Sequence, residues 1–257
     1  MNISFKNKVV LVTGSSGLIG ARVSELFCSL DAKVIGIDKI KPKNRMHKNF
    51  VFFKIDLEKK NRKSLLEGVF SQLSKIDILV NSVAIDDKII NKGLSNNTEF
   101  EHLNMDTLQK SINVNMSSVI EITKLTIPLI KHSEGGRIIN LCSTYSLVAP
   151  NWQLYSESEI KKKYKSYSYV LSKAFMPIFT KALAIELSDF RITVNGVAPH
   201  GVVKNISQEN DAWNKLSPMG RFSDVDEAIY PILFLASKKA SYITGQILSA
   251  DGGWTAW

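Results

Sequence analysis

Short apolar runs alternate with longer amphipathic segments along most of the chain. The runs are apolar throughout, which is typical of strands that are buried on both faces of a parallel sheet. Seven strands are predicted, at residues 8–12, 33–37, 50–55, 76–80, 136–141, 191–197 and 246–249. Helices are predicted at residues 17–30, 63–73, 108–131, 167–187 and 224–237. The alternation indicates an α/β fold in which a doubly wound parallel sheet is covered by helices on both faces.

Prolines and long loops interrupt this pattern. Pro128 and Pro177 lie inside predicted helices, and proline ends or kinks a helix because it lacks the N–H donor. Loops are predicted at residues 85–107, 149–166 and 199–221. Long loops in compact domains are often lids or binding segments. No repeat or linker divides the chain, so we expect a single domain over residues 1–257.

The composition is that of a folded protein with a substantial core, because 44% of the 257 residues are hydrophobic. No apolar run approaches the roughly 20 residues of a membrane span. The first residues lack the apolar segment of a signal peptide. The two cysteines, Cys28 and Cys142, make neither a disulfide framework nor a metal site. We therefore expect a cytoplasmic protein without a metal ion and without a membrane partner.

The formal net charge is +9, and basic residues cluster at positions 39–48, 59–63 and 161–163. Basic clusters bind nucleic acids in some proteins, but no nucleic-acid motif accompanies these and few aromatic residues lie among them. A solvated lysine-rich surface explains the clusters, as does attraction of an anionic cofactor or substrate. We favour the lysine-rich surface and expect no nucleic-acid partner.

A glycine-rich turn, Thr13–Gly20, joins the first predicted strand to the first predicted helix. Its spacing is Gly-x-x-Gly-x-x-Gly. Glycines allow a tight turn and a close approach of the backbone to a pyrophosphate, and the helix N-terminus favours the anion. An ordinary turn between strand and helix is the alternative. For the nucleotide-binding interpretation, the predicted cofactor contacts in the turn are Gly14, Ser16, Gly17, Leu18 and Ile19.

Asp38 ends the second predicted strand, about 20 residues after the turn, where a carboxylate accepts hydrogen bonds from ribose hydroxyls. A carboxylate also repels a 2′-phosphate, so Asp38 favours NAD over NADP. The nearby cations Lys39, Lys41 and Arg45 act in the opposite direction, which keeps NADP as the alternative cofactor. A surface turn residue is the other interpretation of Asp38.

Tyr169 and Lys173 lie four positions apart in a predicted helix, which places their side chains on one face. An ammonium about 4 Å from a phenolate stabilises it by about 4 kcal/mol at an effective dielectric near 20. We expect Lys173 to lower the pKa of Tyr169 toward neutrality, where a general acid or base works best. Tyr155, Tyr164 and Tyr167 have no lysine four positions later.

Two more polar residues lie where they can join this chemistry. Ser143 follows the strand predicted at residues 136–141, and side chains at the carboxyl ends of parallel strands face the ligand crevice. There it can hold a substrate oxygen while Tyr169 exchanges a proton, although a strand-end turn serine is equally typical. Asn115 lies on the preceding predicted helix. It either links Lys173 to solvent as a proton path or is a satisfied core amide.

With these residues in place, the chain resembles the short-chain dehydrogenase/reductase family over nearly its whole length. The matching segments are Thr13–Gly20, Asp56-Leu57, Asn81-Ser82-Val83-Ala84, Asn115, Ser143, Tyr169 with Lys173, Asn195-Gly196-Val197-Ala198-Pro199, and the ending from Thr244 to Gly253. The resemblance implies a Rossmann-like fold that binds a nicotinamide cofactor. It implies that Tyr169 is the acid/base and that Ser143 orients the reacting oxygen. It implies that Lys173 binds the nicotinamide ribose, with Asn115 completing a proton relay.

The resemblance also implies cofactor contacts outside the turn. Asp56 and Leu57 would flank the adenine, and Asn81 would stabilise the sheet near the cofactor. The remaining residues assigned to the cofactor site are Ser82, Val83, Pro199, Gly201 and Val202.

The chain departs from the family pattern at several positions. The glycine spacing resembles that of the longer branch, which modifies nucleotide sugars. Ala84 and His200 stand where glycines are usual in the family. Lys204 and Asn205 occupy the region where a threonine usually meets the nicotinamide carboxamide. These departures bear on the nicotinamide geometry rather than on the fold.

Ser143 and Tyr169 are 26 positions apart, a longer separation than is usual in the family. The extra length carries Trp152, Tyr155, Glu157, Glu159 and residues 161–163. This insertion resembles a subgroup associated with bacterial surface-sugar and flagellin-glycan biosynthesis. Its charged and aromatic groups suit a polar sugar better than an acyl chain. A surface excursion without a substrate role is the alternative.

Three functions are therefore considered. The first is an NAD(P)-dependent oxidoreductase that interconverts a secondary alcohol and a ketone, with a sugar or nucleotide sugar as its small-molecule substrate. The second is a 3-oxoacyl-carrier-protein reductase, whose acidic carrier would suit the basic surface. The third is a non-catalytic dinucleotide-binding sensor or scaffold, which the complete set of Asn115, Ser143, Tyr169 and Lys173 disfavours. The resemblance also implies a homodimer or homotetramer.

Overall fold

The computed structural model describes residues 3–42, 47–86, 98–155, 163–204 and 211–256. Its strands are β1 Val9–Thr13, β2 Lys33–Asp38, β3 Phe50–Lys54, β4 Ile78–Asn81, β5 Arg137–Leu141, β6 Thr193–Pro199, β7 Val202–Val203, β8 Ser223–Asp224 and β9 Ile247–Ala250. Seven of them form one parallel sheet in the order β3-β2-β1-β4-β5-β6-β9. The predicted doubly wound sheet is confirmed. The chain reverses direction across the sheet between β1 and β4, and such reversals create the ligand crevice of open α/β sheets.

Helices cover both faces of this sheet, as predicted. They are α1 Leu18–Ser29, α2 Arg62–Phe70, α3 Met105–Ile112, α4 Ser118–Ile130, α5 Tyr167–Lys173, α6 Met176–Glu186, α7 Asp211–Leu216 and α8 Val225–Ala236. One apolar core lies between the sheet and α1 and α8, and includes Phe27 and Ile232. The other lies beneath α2, α4 and α6, and includes Leu66, Ile122 and Leu183. Among the described helices, none is long and apolar enough to cross a membrane.

The two long predicted helices are interrupted in different ways. The helix predicted at residues 108–131 begins at Met105 and contains a π-helical turn, Asn113–Ser117, between α3 and α4. Pro128 does not end it, because it lies in the last turn of α4, where only one backbone hydrogen bond is lost. The helix predicted at residues 167–187 is divided into α5 and α6. Pro177 lies in the first turn of α6, where an N–H has no helical partner in any case.

The predicted loop at residues 199–221 contains regular structure that its sequence pattern did not indicate. β7 pairs with β8, and α7 lies against a 3₁₀ turn, Trp152–Leu154, from the insertion. These elements are too short for a hydrophobic period to be visible. The predictions for Arg45, Glu157, Glu159, residues 161–162 and Asn205 fall outside the described residues.

A network of hydrogen bonds between buried polar side chains connects the centre of the sheet to two of its helices. Asn81 on β4 donates hydrogen bonds to Thr123 Oγ1 at 3.0 Å and to Asn140 Oδ1 at 2.9 Å. Asn140 on β5 in turn donates to Thr180 Oγ1 at 2.9 Å. Buried polar groups are costly unless they are paired, so this network fixes α4 and α6 against the strands that carry the candidate site.

Candidate active site

Two glycines in the turn after β1 permit contacts that a side chain would block. Gly14 adopts a φ of +66°, and a Cβ atom there would lie 2.8 Å from Val83 Cα. A Cβ atom on Gly20 would lie 2.1 Å from the Gly14 carbonyl oxygen. The turn therefore packs main chain against main chain, both on the segment after β4 and on the first turn of α1.

The N-terminus of α1 faces outward from this turn. Gly17 and Leu18 are exposed, and no described side chain caps the helix or places an acidic group in its first turn. The free N–H groups and the positive end of the helix dipole favour an anion there. This cradle fits the pyrophosphate of a dinucleotide, and the predicted contacts from Gly14 to Ile19 lie together in it.

Asp38 lies at the end of β2 directly beside the turn. Its Oδ2 accepts a hydrogen bond from the backbone N–H of Ser16 at 3.0 Å, and its Oδ1 accepts one from the N–H of Ile40 at 3.0 Å. Lys39 and Lys41 are both exposed. The carboxylate is therefore held beside the phosphate turn, with the two lysines in solvent.

Of the other predicted cofactor residues near the phosphate turn, some are accessible and others have side chains buried in the core. Asp56 is half-buried after β3, and the N–H groups of Ser82 and Val83 donate to Thr13 Oγ1 at 3.2 and 3.3 Å. The side chains of Leu57 and Asn81 are instead buried in the core. Any contact of these two with a nucleotide is therefore made by their main chain, and Asn81 has the sheet-stabilising position that the resemblance implied.

Ser143 and Tyr169 meet at the carboxyl end of β5 although they are 26 positions apart. The Ser143 hydroxyl lies beside the Tyr169 phenol and acts to lower its pKa. It also accepts a hydrogen bond from the Tyr145 backbone N–H at 3.2 Å and caps a 3₁₀ turn, Thr144–Ser146. The serine is thus fixed by its own turn and presents its oxygen to the tyrosine.

Lys173 is fully buried one helical turn beyond Tyr169. Its Nζ donates a hydrogen bond to the Leu141 carbonyl at 2.7 Å. Burial lowers the pKa of Lys173 to about 8, and the neighbouring Cys142 thiol acts in the opposite direction. Tyr169, Ser143 and Lys173 therefore surround the end of β5 together, as their sequence positions predicted.

The expected lowering of the Tyr169 pKa is wrong for this structure. Burial raises the pKa of Tyr169, the charge of Asp86 raises it further, and the Ser143 hydroxyl opposes them without prevailing. Burial disfavours both the phenolate and the Lys173 ammonium that was expected to stabilise it. The spacing of the two residues reported their proximity correctly but carried no information on how deeply they are buried.

Asn115 lies in the π-helical turn, and its side chain is fully satisfied. Its Oδ1 accepts from the Ile85 N–H at 2.7 Å, while its Nδ2 donates to the Ile85 carbonyl at 2.9 Å and to Ser172 Oγ at 2.9 Å. The amide therefore joins the segment after β4 to α5. This geometry is that of the satisfied core amide, so a part in proton relay would belong to the main chain of Asn115.

Pro199 is the last residue of β6, and Gly201 and Val202 follow it. They lie beside an aromatic cluster that the sequence pattern did not indicate. The aromatic cluster consists of Tyr145, His200, Trp213, Phe222 and Trp254. Gly201 has a φ of +57°, and a Cβ atom there would lie 2.1 Å from Trp213. Several members of the cluster border a cavity of about 290 Å³. The isolated tryptophans Trp213 and Trp254 were the only signal in the sequence, because the five members come from five separate parts of the chain.

His200 is the centre of the aromatic cluster. Its ring stacks on Trp213 with centroids 4.3 Å apart and lies 4.4 Å from the Trp254 ring. Its Nδ1 shares a hydrogen bond with Thr144 Oγ1 at 2.7 Å, and its buried Nε2 has no hydrogen-bond partner among the described residues. Burial lowers the pKa of His200 to about 4, with the charge of Asp251 opposing. The imidazole is therefore neutral at pH 7 and supports the segment that carries Ser143.

A lysine and an aspartate form an ion pair against Tyr169, and we call Lys165 and Asp86 the charged pair. Lys165 Nζ lies 4.7 Å from the centroid of the Tyr169 ring. The hydroxyls of Tyr145 and Tyr155 form a short hydrogen bond nearby. The sequence pattern did not indicate the charged pair, although Lys165 precedes Tyr169 by four positions just as Lys173 follows it by four.

Comparison with known proteins identifies the class to which this site belongs. A family model described as enoyl-(acyl carrier protein) reductase matches residues 15–255. A 3-oxoacyl-[acyl-carrier-protein] reductase of Rickettsia typhi is 29% identical over 98% of this chain and 98% of its own length. An NAD-dependent glycerol dehydrogenase of Listeria innocua is 27% identical over 99% of this chain and 96% of its own.

Solved structures agree with this class. A short-chain dehydrogenase of Leptospira borgpetersenii with bound NAD+ is 27% identical, with a TM-score of 0.82 over 98% of this chain and 94% of that chain. The ligand-free aldohexose dehydrogenase of Thermoplasma acidophilum shares the fold, with a TM-score of 0.79 at 24% identity over 100% of this chain and 97% of that chain. The chain belongs to the short-chain dehydrogenase/reductase family and is an oxidoreductase that acts on CH–OH groups or ketones with a nicotinamide cofactor.

Proposed function

We propose that this protein interconverts a secondary alcohol and a ketone with NAD, and that its substrate is a sugar or nucleotide sugar. One observation carries the reaction type: Ser143, Tyr169 and Lys173 converge at the carboxyl end of β5, where Ser143 acts on the Tyr169 phenol and Lys173 Nζ donates to the Leu141 carbonyl. The phosphate turn opens at the same edge of the sheet, because all seven strands are parallel.

The residues of the site divide the work between them. Nicotinamide, when bound, supplies hydride transfer. Ser143 holds the reacting oxygen by a hydrogen bond. Tyr169, whose pKa is raised, carries its proton at neutral pH and donates it to a ketone oxygen. In the alcohol direction Tyr169 first releases its own proton to solvent, and the phenolate then accepts the proton of the alcohol. Lys173 supports the end of β5, and Asn115 fastens α5 to the segment after β4.

Asp38 supports the preference for NAD. Its carboxylate is held at the turn by two backbone N–H groups, where a 2′-phosphate would meet like charge. The opposing cations Lys39 and Lys41 extend into solvent, where screening weakens them. The relatives with bound NAD+ and with an NAD-dependent name are consistent with this preference.

The polar substrate is supported by the groups that surround Tyr169. The charged pair lies against its ring, and Tyr145 and Tyr155 add two hydroxyls. Sugar hydroxyls both donate and accept hydrogen bonds, so they can use the bonding capacity that remains on these groups after they have paired with each other, whereas an acyl chain can use none of it. The described part of the insertion lies beside this region, which favours the surface-sugar subgroup.

A second candidate is 3-oxoacyl-carrier-protein reduction. The relatives include proteins with that name, and the formal charge of +9 suits an acidic carrier. The charged pair and the hydroxyls of Tyr145 and Tyr155 beside Tyr169 argue against an acyl substrate.

We also propose a homodimer or homotetramer. Large apolar side chains are exposed on α5 and α6, with Leu171 47%, Ile178 69% and Ile185 78% exposed. Apolar exposure of this kind on helices marks association surfaces. Light scattering coupled to size exclusion measures the mass directly, and a monomer at all concentrations would contradict the proposal.

The first experiment titrates the purified protein with NADH and with NADPH, and follows nicotinamide fluorescence. Tighter binding of NADH is expected. The protein is then assayed with NAD+ against aldohexoses and nucleotide sugars, and with NADPH against an acetoacetyl thioester. Turnover of the sugars supports the proposal. Tighter NADPH binding with turnover of the thioester alone would replace it by the second candidate.

A further inference from the structure

The charged pair is placed against Tyr169 by two separate segments. Asp86 follows β4, and Lys165 precedes α5 at a distance of 79 positions along the chain. The side chain of Lys165 is 6% exposed and that of Asp86 is 25% exposed. The segment before Lys165 is held in place by a hydrogen bond from the Tyr164 N–H to Thr98 Oγ1 at 2.9 Å.

Fold stability does not explain such a pair. Removing two charges from water costs several kcal/mol per ion, and apolar replacements of buried pairs are often neutral or stabilising. The placement of the pair is informative instead. Lys165 lies over the ring of Tyr169, and the charge of Asp86 acts on Tyr145, Tyr155 and Tyr169.

We propose that Lys165 and Asp86 are positioning residues that set the acidity of Tyr169 by opposing charges, Lys165 favouring the phenolate and Asp86 favouring the phenol. The catalytic meaning of this effect rests on the proposed role of Tyr169 as acid/base. The electrostatic effect itself does not, because it follows from the contact between the ammonium and the ring.

The other groups that face Tyr169 do not set this balance. They are Cys142, Ser143, Tyr145, Tyr155 and Lys173. Ser143 carries no charge. Burial raises the pKa of Cys142, Tyr145 and Tyr155, to about 12 for the first two, so all three are neutral at pH 7. Lys173 directs its Nζ to the Leu141 carbonyl. The two opposite charges that act on the Tyr169 phenol are therefore those of the charged pair.

Tyrosine labelled with ¹³C at Cζ reports ionisation by NMR without substrate or cofactor. The Tyr169 resonance is assigned as the one lost in Tyr169→Phe. Asp86→Asn, which preserves shape, is expected to lower the Tyr169 pKa by about one pH unit or more. Adding Lys165→Met to Asp86→Asn is expected to reverse that shift. Lys239→Met, which removes a distant exposed lysine, is the matched control and leaves the titration unchanged.

The two substitutions are expected to shift the Tyr169 pKa in opposite directions. If the residues had only a structural role, loosening of the site would shift the Tyr169 pKa in the same direction in both cases. The proposal is overturned if Asp86→Asn titrates as the wild type does over the pH range in which both are folded, including the case in which neither titrates. It is also overturned if Lys165→Met has no effect in the Asp86→Asn background. Failure of the proposed function is seen separately, as turnover that survives in Tyr169→Phe.

Discussion

The two sides of the crevice are built in different ways. On the cofactor side, β1 and β2 meet the phosphate turn through main-chain contacts, and two glycines exclude every larger residue. On the substrate side, beyond β5 and β6, the contacts are between side chains: the aromatic cluster, the charged pair and the tyrosine hydroxyls. One side is specified by backbone shape over a short segment. The other is specified by side chains that come from distant parts of the chain.

Because the two sides are built differently, we expect substitutions on them to affect different properties of the enzyme. A main-chain cradle recognises what all dinucleotides share, because every residue of Thr13–Gly20 has an N–H group and few side chains take part. On the substrate side, a single substitution changes which side chains are paired, so we expect these side chains to determine substrate specificity. We therefore expect variants on the substrate side to change turnover or pH behaviour, and variants on the cofactor side to change cofactor affinity.

The largest effect is expected from Tyr169→Phe. Removing the hydroxyl removes proton transfer, which contributes roughly 10²–10⁴-fold to a rate, while the phosphate turn is untouched. Turnover should fall by that factor and the Kd for NADH should stay within about twofold. Tyr230→Phe, at an exposed position on α8, is the control. Equal losses of turnover and of NADH affinity would show that the two sides are not separable.

The next effect is a pH dependence of stability on the substrate side. The pKa of His200 is lowered from 6.5 to about 4 in the folded protein. Its contribution is therefore fully present above pH 6.5 and is lost as the pH falls through about 4, because only the unfolded chain binds a proton in that window. The loss amounts to roughly 3 kcal/mol.

Urea denaturation at several pH values between those limits measures this loss. His200→Phe keeps an aromatic ring between Trp213 and Trp254 but cannot titrate, so its stability should fall less steeply with acid. The exposed His132 provides the control, because His132→Gln should retain the wild-type slope. A slope in His200→Phe as steep as that of the wild type would contradict the prediction.

On the cofactor side, Gly14→Ala should weaken NADH binding by roughly tenfold. The φ of +66° costs a residue with a Cβ about 1–2 kcal/mol, and the new atom would press on Val83. Gly68→Ala is the matched control, because a Cβ there meets nothing within 4 Å. In the interior of α2 it should stabilise the protein by about 0.5–1 kcal/mol. Unchanged NADH affinity in Gly14→Ala would show that the turn does not shape the cofactor site.

The same contrast explains what the sequence could predict. Apolar runs predicted all seven strands of the main sheet, and the turn, Asp38 and the Tyr169–Lys173 spacing are local signals. The charged pair was missed because its members are 79 positions apart. The aromatic cluster was missed because α7, which carries Trp213, is too short to show a period. The direction of the Tyr169 pKa was missed because spacing reports proximity and not burial.

The last expected effect, no larger than that of Gly14→Ala, is a change in cofactor preference on Asp38→Asn. The amide keeps an acceptor for the Ser16 or Ile40 N–H, so the turn should persist, while the charge that repels a 2′-phosphate is lost. The ratio of the Kd values for NADPH and NADH should fall by about tenfold, or about 1.4 kcal/mol. Asp31→Asn removes the same charge at the exposed amino edge of the sheet and tolerates the positive φ of 68° there. If both variants change the ratio equally, the preference reflects net charge, and Asp38 is not its determinant.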